Sequence, residues 1–391
     1  MKNNKGITLV ALVVTIVVLL ILATVSINLV LGDNGIVKKA QDAKTKSAEA
    51  SENDLKGMNS LVSEMEGALA GNGSTGSGSG NGNTGSGNNF VTKNTEVTYP
   101  DGKVWIPEGF KIAKDSATTV QGGVVIEDKD GNQFVWVPVA TIADYKRTAY
   151  STNVATKETD TATNSIKINI NSSISDYFTE ALPEDEKTSV EIYKGFYIGR
   201  YEAGDKESTG TTKATFRTSS SDTSNSVTIK ADQVPYNYVT RTQAVSLAEG
   251  FATKQGYKAK TKLVSSYAWD TTIAFIEKTV NNYGSSSSQG NYSDTSVTYK
   301  DITDESKPEK TKAENSSLLV ATGQTTPVCN IYDMGGNVFE WTTESFSGTN
   351  LPYAIRGGSC GFNFAQYPAG SRLFYSDNAD GNFGFRLTLF M

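Results

Sequence analysis

Cys329 and Cys360 are the only thiols in this chain of 391 residues, and histidine is absent altogether. That inventory excludes the hydrolytic triads and dyads that need an imidazole. It also excludes every His-ligated zinc, haem or non-haem iron centre, and two cysteines cannot build a four-thiolate site. General acid–base work would fall to Asp, Glu, Lys or Tyr. In an exported chain the two thiols are either free or bridged to each other.

Binding chemistry is better represented than catalysis. Between Cys360 and Phe383 aromatic side chains alternate with small polar ones. Tyr and Phe supply contact area at low entropic cost, and Ser, Asn and Asp supply adaptable hydrogen bonds, which is the make-up of a recognition surface. The ligand-binding candidates are Cys360, Phe362, Asn363, Phe364, Tyr367, Tyr375, Ser376, Asp377, Asn378, Asp380 and Phe383. Phe374 and Phe385 are expected in the core instead. Asp128-Lys129-Asp130-Gly131-Asn132 is similar to the opening of an EF-hand loop, but its twelfth position is Val139, so it reads as an Asp-Gly turn between strands.

The elements that must position these residues are short. Val104–Pro107, Phe134–Pro138 and Gly195–Glu202 read as strands between turn residues. Helices are expected over Arg241–Phe251, with Thr240 as N-cap, and over Tyr267–Asn281. The stretches 150–190, 205–228 and 283–316 are rich in Ser, Thr, Asn, Lys and Glu and read as long surface loops. The pattern is α+β with much irregular structure. A net charge of −6 with no basic run predicts no nucleic-acid partner.

The N-terminal region is organised differently. Ile7 to Leu31 is 25 residues without a charge, long enough to span a bilayer as a helix. Lys2 and Lys5 on one side predict a cytoplasmic N-terminus and an extracellular remainder, at the cell membrane or cell surface. Residues 36–69 continue as a polar helix with a thin apolar stripe. Residues 71–89 are wholly Gly, Ser, Asn and Thr, a flexible linker whose span is about 25 Å.

Lys5-Gly6-Ile7-Thr8-Leu9-Val10 resembles a type IV prepilin processing site. The resemblance implies cleavage between Gly6 and Ile7 by a prepilin peptidase, and packing of the transmembrane helix against other pilin subunits. The fifth mature position, usually Glu in pilins, is Ala11 here. The expected domains are a leader (1–6), a pilin-like transmembrane and stalk helix (7–70), the linker (71–89) and a globular head (90–391).

The head carries a second resemblance. Asn330-Ile331-Tyr332-Asp333-Met334-Gly335-Gly336-Asn337-Val338-Phe339-Glu340-Trp341 is similar to the YDMxGNVWEW segment of the formylglycine-generating enzyme, or sulfatase-modifying factor, family. Arg356-Gly357-Gly358-Ser359 and Gly384-Phe385-Arg386 match its other hallmarks in order. The resemblance implies a C-type-lectin-like fold. It implies that Asn337 and Glu340 could contribute oxygens to a calcium ion, with turn hydrogen bonding as their alternative; no other cofactor is expected. The family's enzymes use two cysteines after the RGGS element to bind copper. Those positions fall near Phe362 and Tyr367 here, so the head is expected to lack that catalysis.

In one branch of this fold the segment between RGGS and GFR is rewritten by diversity-generating retroelements. Residues 360–383 resemble such a variable segment. The function expected is that of a surface- or pilus-anchored, adhesin-like protein binding an unknown protein or glycan ligand. The alternatives are an exported oxidase of the formylglycine-generating type and a minor pilin with a structural head.

Overall fold

The computed structural model describes residues 89–148, 150, 180–206, 223, 226–302, 306–345 and 351–391, together with the backbone of strands Glu158–Asp160 and Ser165–Lys167. The expectations for the leader, the apolar helix, the stalk and all but the end of the linker lie outside these residues. Among the described residues no helix is long and apolar enough to cross a membrane.

Two six-stranded sheets carry the fold. The first runs, in spatial order, Lys260–Leu263, Leu387–Phe390, Gly195–Gly199, Gln133–Pro138, Val125–Glu127 and Lys111–Ile112, all antiparallel. Its centre is buried on both faces: every residue of Gly195–Gly199 and of Leu387–Phe390 is buried. Continuous apolar runs rather than strict alternation are what such strands require.

The second sheet runs Phe383–Phe385, Phe339–Ser345, Tyr353–Arg356, Arg372–Tyr375, Ser165–Lys167 and Glu158–Asp160. Its first pair is parallel and the rest antiparallel. The chain's last two strands, Phe383–Phe385 and Leu387–Phe390, belong one to each sheet, with Arg386 between them.

Among the described residues three helices of ten residues or more complete the head, α1 (Glu184–Tyr193), α2 (Arg241–Gln255) and α3 (Ser266–Glu277), with a single further turn at Tyr283–Ser286. Thr240 caps α2 as expected: its side chain accepts from the Gln243 N–H, and Gln243 answers at the Thr240 N–H. The helix runs four residues beyond Phe251, to a left-handed C-cap at Gly256. α3 starts one residue earlier than expected because Ser265 caps it through the Ala268 N–H.

α1 falls inside a stretch expected to be loop. Its apolar residues, Val190, Ile192 and Tyr193, crowd its last turn, and only Val190 is fully buried, beside Ser189 and Glu186, so periodicity could not reveal it. The stretch 283–316 likewise holds a short hairpin, Val297–Tyr299 with Lys310–Lys312. Trp341, Phe339, Phe374 and Phe385 are buried, as the sequence predicts.

Candidate functional site

The hallmark arginines are framework. Arg386 donates to both oxygens of Glu340, from Nη2 at 2.7 Å and Nε at 3.0 Å, and its remaining donors reach the carbonyls of Gly199 and Tyr332. Gly199 lies in the first sheet and Glu340 in the second, so this residue ties the two sheets together. Arg356 pairs with Asp270 of α3 at 2.6 Å and donates to the Ser371 carbonyl at 2.7 Å. Arg372 pairs with the same Asp270 and, at 3.0 Å, with Glu344. The cluster of Arg356, Arg372, Asp270 and Glu344 holds two charges of each sign, all buried. Paired and fully hydrogen-bonded is the only condition in which such charges persist without water.

The Gly-Gly turns serve the same core. Gly358 has φ +77°, and a Cβ there would lie 2.3 Å from the Tyr367 carbonyl oxygen. Gly336 has φ +78°, with the Asn291 backbone as close. Only glycine combines that conformation with that approach.

Asn337 and Glu340 do not form a calcium site. Asn337 is fully buried in a left-handed conformation at φ +57°. Its carboxamide oxygen accepts from Asn291 Nδ2 at 2.9 Å and the Val320 N–H at 3.1 Å, and its nitrogen donates to Glu202 and to the Val320 carbonyl. Glu340 is consumed by Arg386. The hydrogen-bonding alternative holds for both. Burial, with Asp333 and Glu340 nearby, holds the Glu202 carboxyl well above the usual range. Asp128 likewise accepts from the Asp130 and Asn132 N–H groups, which closes an Asp-Gly turn and leaves no cation loop.

The two cysteines do not form the family's copper pair. Each is free and buried. The Cys329 sulfur lies against Thr279 Oγ1 at 3.4 Å and Gln121 Nε2 at 3.7 Å, whereas Cys360 faces Ser317 Oγ at 3.9 Å. Burial raises the Cys329 thiol and pushes Cys360 up to about 11, so neither carries thiolate character near neutrality. At the expected positions stand Phe362, which has no donor atom, and Tyr367, a buried phenol and not a thiol. Copper therefore has no fitting donor set in these residues.

The segment 360–383 divides by burial. Cys360, Tyr367 and Phe383 are core residues, 2–5% exposed, and drop out as ligand contacts. Their reason is shared: Tyr367 and Phe383 pack edge-on against Phe339 at 5.6 and 6.3 Å, and Cys360 is held by its N–H to the Asn337 carbonyl. The stretch 367–374 is buried throughout. By contrast Gly361, Ala365, Gln366, Ser376, Asp377 and Asn378 are exposed, and Phe362, Asn363, Phe364, Tyr375 and Asp380 are half-buried.

The exposed halves meet over one aromatic cluster. Phe362 packs on Phe339 at 5.6 Å, Phe339 on Phe383, and Phe383 on Tyr375 at 4.9 Å. A Cβ at Gly361 would lie 3.8 Å from Asn382 Oδ1, so the two loops abut. Each loop is pinned. The Phe364 N–H donates to Asp294 Oδ1, and the Ser293 N–H donates to the Phe362 carbonyl. Asp377 accepts from the Thr242 N–H and hydroxyl at the start of α2, where a carboxylate also meets the helix dipole. Asp380 closes its loop on the Asn382 N–H, and Asn363 closes its own on that of Gln366.

Beneath the first loop sits a buried cation. Lys312, 3% exposed, places its ammonium 2.5 Å from the Tyr292 carbonyl, 2.6 Å from that of Thr295 and 3.1 Å from that of Ser316. All three donors of the ammonium are used. Lys312 thereby holds the 292–295 turn that in turn holds Phe362 and Phe364.

Four residues of this face were not singled out in the sequence. Tyr353 faces Tyr375 across neighbouring strands, and the Arg241 guanidinium lies 4.4 Å over the Tyr353 ring. Tyr238 touches Gly381 and donates its N–H to the Asp380 carbonyl. Asp294 is the fourth. None of the four gave a signal in the sequence: Tyr353 joins the face through its pairing with Tyr375, and Asp294 through the Phe364 N–H.

Comparison with known proteins places this arrangement. A family model for the sulfatase-modifying factor enzyme 1-like domain matches residues 80–389. No curated protein matches the chain in sequence. Among solved structures the chain is similar to CarF (14% identity, 51% of this chain and 87% of that one, TM-score 0.31). It is similar to PvdO from Pseudomonas aeruginosa (14%, 68% and 98%, TM-score 0.38). It is also similar to Treponema denticola variable protein 1 (9%, 76% and 99%, TM-score 0.26). With the family model matching well over half of the chain, the chain belongs to the sulfatase-modifying factor enzyme 1-like family.

Proposed function

We propose that this chain is an adhesin-like ligand-binding protein whose recognition face is formed by the loops 361–366 and 375–382. The observation that carries the reading is the division of the C-terminal segment. Phe362, Phe364 and Tyr375 emerge half-buried from a packed aromatic base, and exposed small and polar residues surround them. Rigid aromatic anchors beside adaptable hydrogen-bonding groups are how paratopes combine affinity with tolerance of sequence change. Tyr353, Arg241 and Tyr238 extend the face. The C-terminal segment also keeps its likeness to the variable segments of diversity-generating retroelements.

The same reading takes the head as non-catalytic. It is supported by the separate environments of Cys329 and Cys360 and by Phe362 and Tyr367 at the positions of the copper-binding thiols. The apolar N-terminal segment 7–31, processed between Gly6 and Ile7, would anchor the head at the cell surface or in a pilus. Many copies there would add avidity to modest single-site affinity.

The test is binding of the full chain, in detergent micelles, to arrays of purified glycans and proteins. The triple variant Phe362→Ala/Phe364→Ala/Tyr375→Ala is expected to fold, with unchanged far-ultraviolet dichroism and a cooperative thermal transition, and to lose the array signals. Signals that survive in the triple variant contradict the assignment of the face. Copper-dependent oxygen consumption that is abolished by Cys360→Ser would favour the oxidase instead.

A further inference from the structure

A second concave site lies in the part of the head that precedes the hallmark motifs. It is a groove of about 480 Å³ lined by the hairpin Thr95–Tyr99 and Gly102–Ile106, by Val120 and Gln121, by Pro138–Ala140, and by Tyr193, Lys194 and Lys278. Its volume is that of a small-ligand site. It shares no residue with the C-terminal face.

The chemistry of the lining is specific. Trp105 and Tyr193 form an edge-to-face pair at 5.4 Å, and both remain half-exposed at the groove. The carboxylates are already engaged. Glu96 pairs with Lys103 at 2.9 Å, and Asp101 accepts from the N–H groups of Val120 and Gln121 at 2.7 and 2.9 Å. Those amide bonds outweigh its desolvation and hold the Asp101 carboxyl below the usual range. Lys194 and Lys278 are exposed, and among the described residues neither has a carboxylate within ion-pair distance. The groove thus offers an aromatic wall, two exposed ammonium groups, of which Lys278 also acts on the nearby Asp144 carboxyl, and carboxylate lone pairs able to accept from hydroxyls.

An aromatic wall takes the C–H face of a pyranose ring. Ammonium groups take a carboxylate or sulfate. Hydroxyl acceptors beside both select a sugar over a simple anion or an apolar guest. We infer that this groove binds an acidic saccharide, a uronate- or sulfate-bearing pyranose, independently of the C-terminal face. The protein then carries two recognition sites, one whose loops tolerate change and one built on the hairpin and the first sheet.

The probe is an oligogalacturonate tetrasaccharide, measured by calorimetry against the full chain in detergent micelles, with the neutral cellotetraose and free sulfate as comparisons. The acidic tetrasaccharide is expected to bind and the neutral one to bind far more weakly. Lys194→Ala/Lys278→Ala, both on exposed positions, is expected to weaken binding by roughly tenfold or more. Trp105→Ala should abolish it, and Phe362→Ala/Tyr375→Ala should leave it unchanged. Equal binding of the neutral sugar overturns the proposal, as does absence of binding or indifference to the lysine pair. Loss in the Phe362/Tyr375 variant also overturns it, by moving the sugar to the C-terminal face. A failure here leaves the reading of that face standing, since the two share no residue.

Discussion

Within the C-terminal segment two kinds of structure stand side by side. Residues 367–374 are buried throughout and include Arg372, whose guanidinium is locked between Asp270 and Glu344. The loops on either side, 361–366 and 375–382, are exposed or half-exposed and hold themselves by local turns and single pins. On the proposed function, this division lets one segment combine a rigid middle with flanks able to change. Its middle belongs to an ion-paired sheet, and its flanks need only keep their anchors.

The contrast can be broken most forcefully from its rigid side. Asp270→Ala leaves Arg356 and Arg372 facing each other with only Glu344 between them. Removing one partner of a buried pair costs about 3–5 kcal/mol, so urea denaturation should show a loss of that size or an insoluble chain. A loss below about 1 kcal/mol would mean that water reaches the cluster.

Lys312 probes the join between the regions. Lys312→Met takes the ammonium from the carbonyls of Tyr292, Thr295 and Ser316, of which Tyr292 keeps the Thr295 N–H and hydroxyl, and should cost about 1–3 kcal/mol. Amide exchange should quicken at Ser293 and Phe364 while Arg372 to Tyr375 stays protected. Uniform exchange across both regions would deny the loop its separate support.

Glu180 gives a pH test of the same core. Its carboxyl accepts from Ser266 and Thr343, and burial, with Glu344 and Glu186 nearby, raises it to about 7. Between the ordinary glutamate value of about 4.3 and that value, the unfolded chain ionises while the folded chain keeps its proton. Stability contributed by the protonated form is therefore full below the unfolded value, falls as pH rises through this window, and is level above it. Glu202, Asp333 and Glu340 are raised by burial too and act in the same direction. The readout is thus the difference between wild type and Glu180→Gln. The variant should lose on the order of 2 kcal/mol of the pH dependence between pH 4.5 and 7.

The smallest effect belongs to the loops. Phe364→Ala and Asn378→Ala should each change stability by less than about 1 kcal/mol. A cost as large as that of Asp270→Ala would place these side chains in the core and collapse the contrast.

Much of the framework was legible in the sequence. Strand runs such as Phe134–Pro138 and caps such as Thr240 are local signals, and the hallmark motifs fall where the sheets join. What the sequence hid is non-local. Asp270, Glu344 and Lys312 look like ordinary surface charges, because their burial depends on partners dozens of residues away or on backbone carbonyls. Within the candidate segment the sequence shows the residue types but not their depth. Tyr367 and Tyr375 have the same side chain, and only the Phe339–Phe383 packing decides that one is core and the other rim. Tyr353 and Asp294 join the face through pairings that spacing alone does not show.

The central claim is that the loops 361–366 and 375–382 form an adaptable recognition face. A display library of the full chain, randomised only at Phe362, Asn363, Phe364, Tyr375, Ser376 and Asn378 and selected on immobilised lysozyme, tests it most directly. The account predicts that folded, lysozyme-specific binders emerge from this library. It also predicts none from an equal library randomised at six exposed positions of α1 and α2. Failure of the first library to yield binders, or equal success of the second, would contradict it.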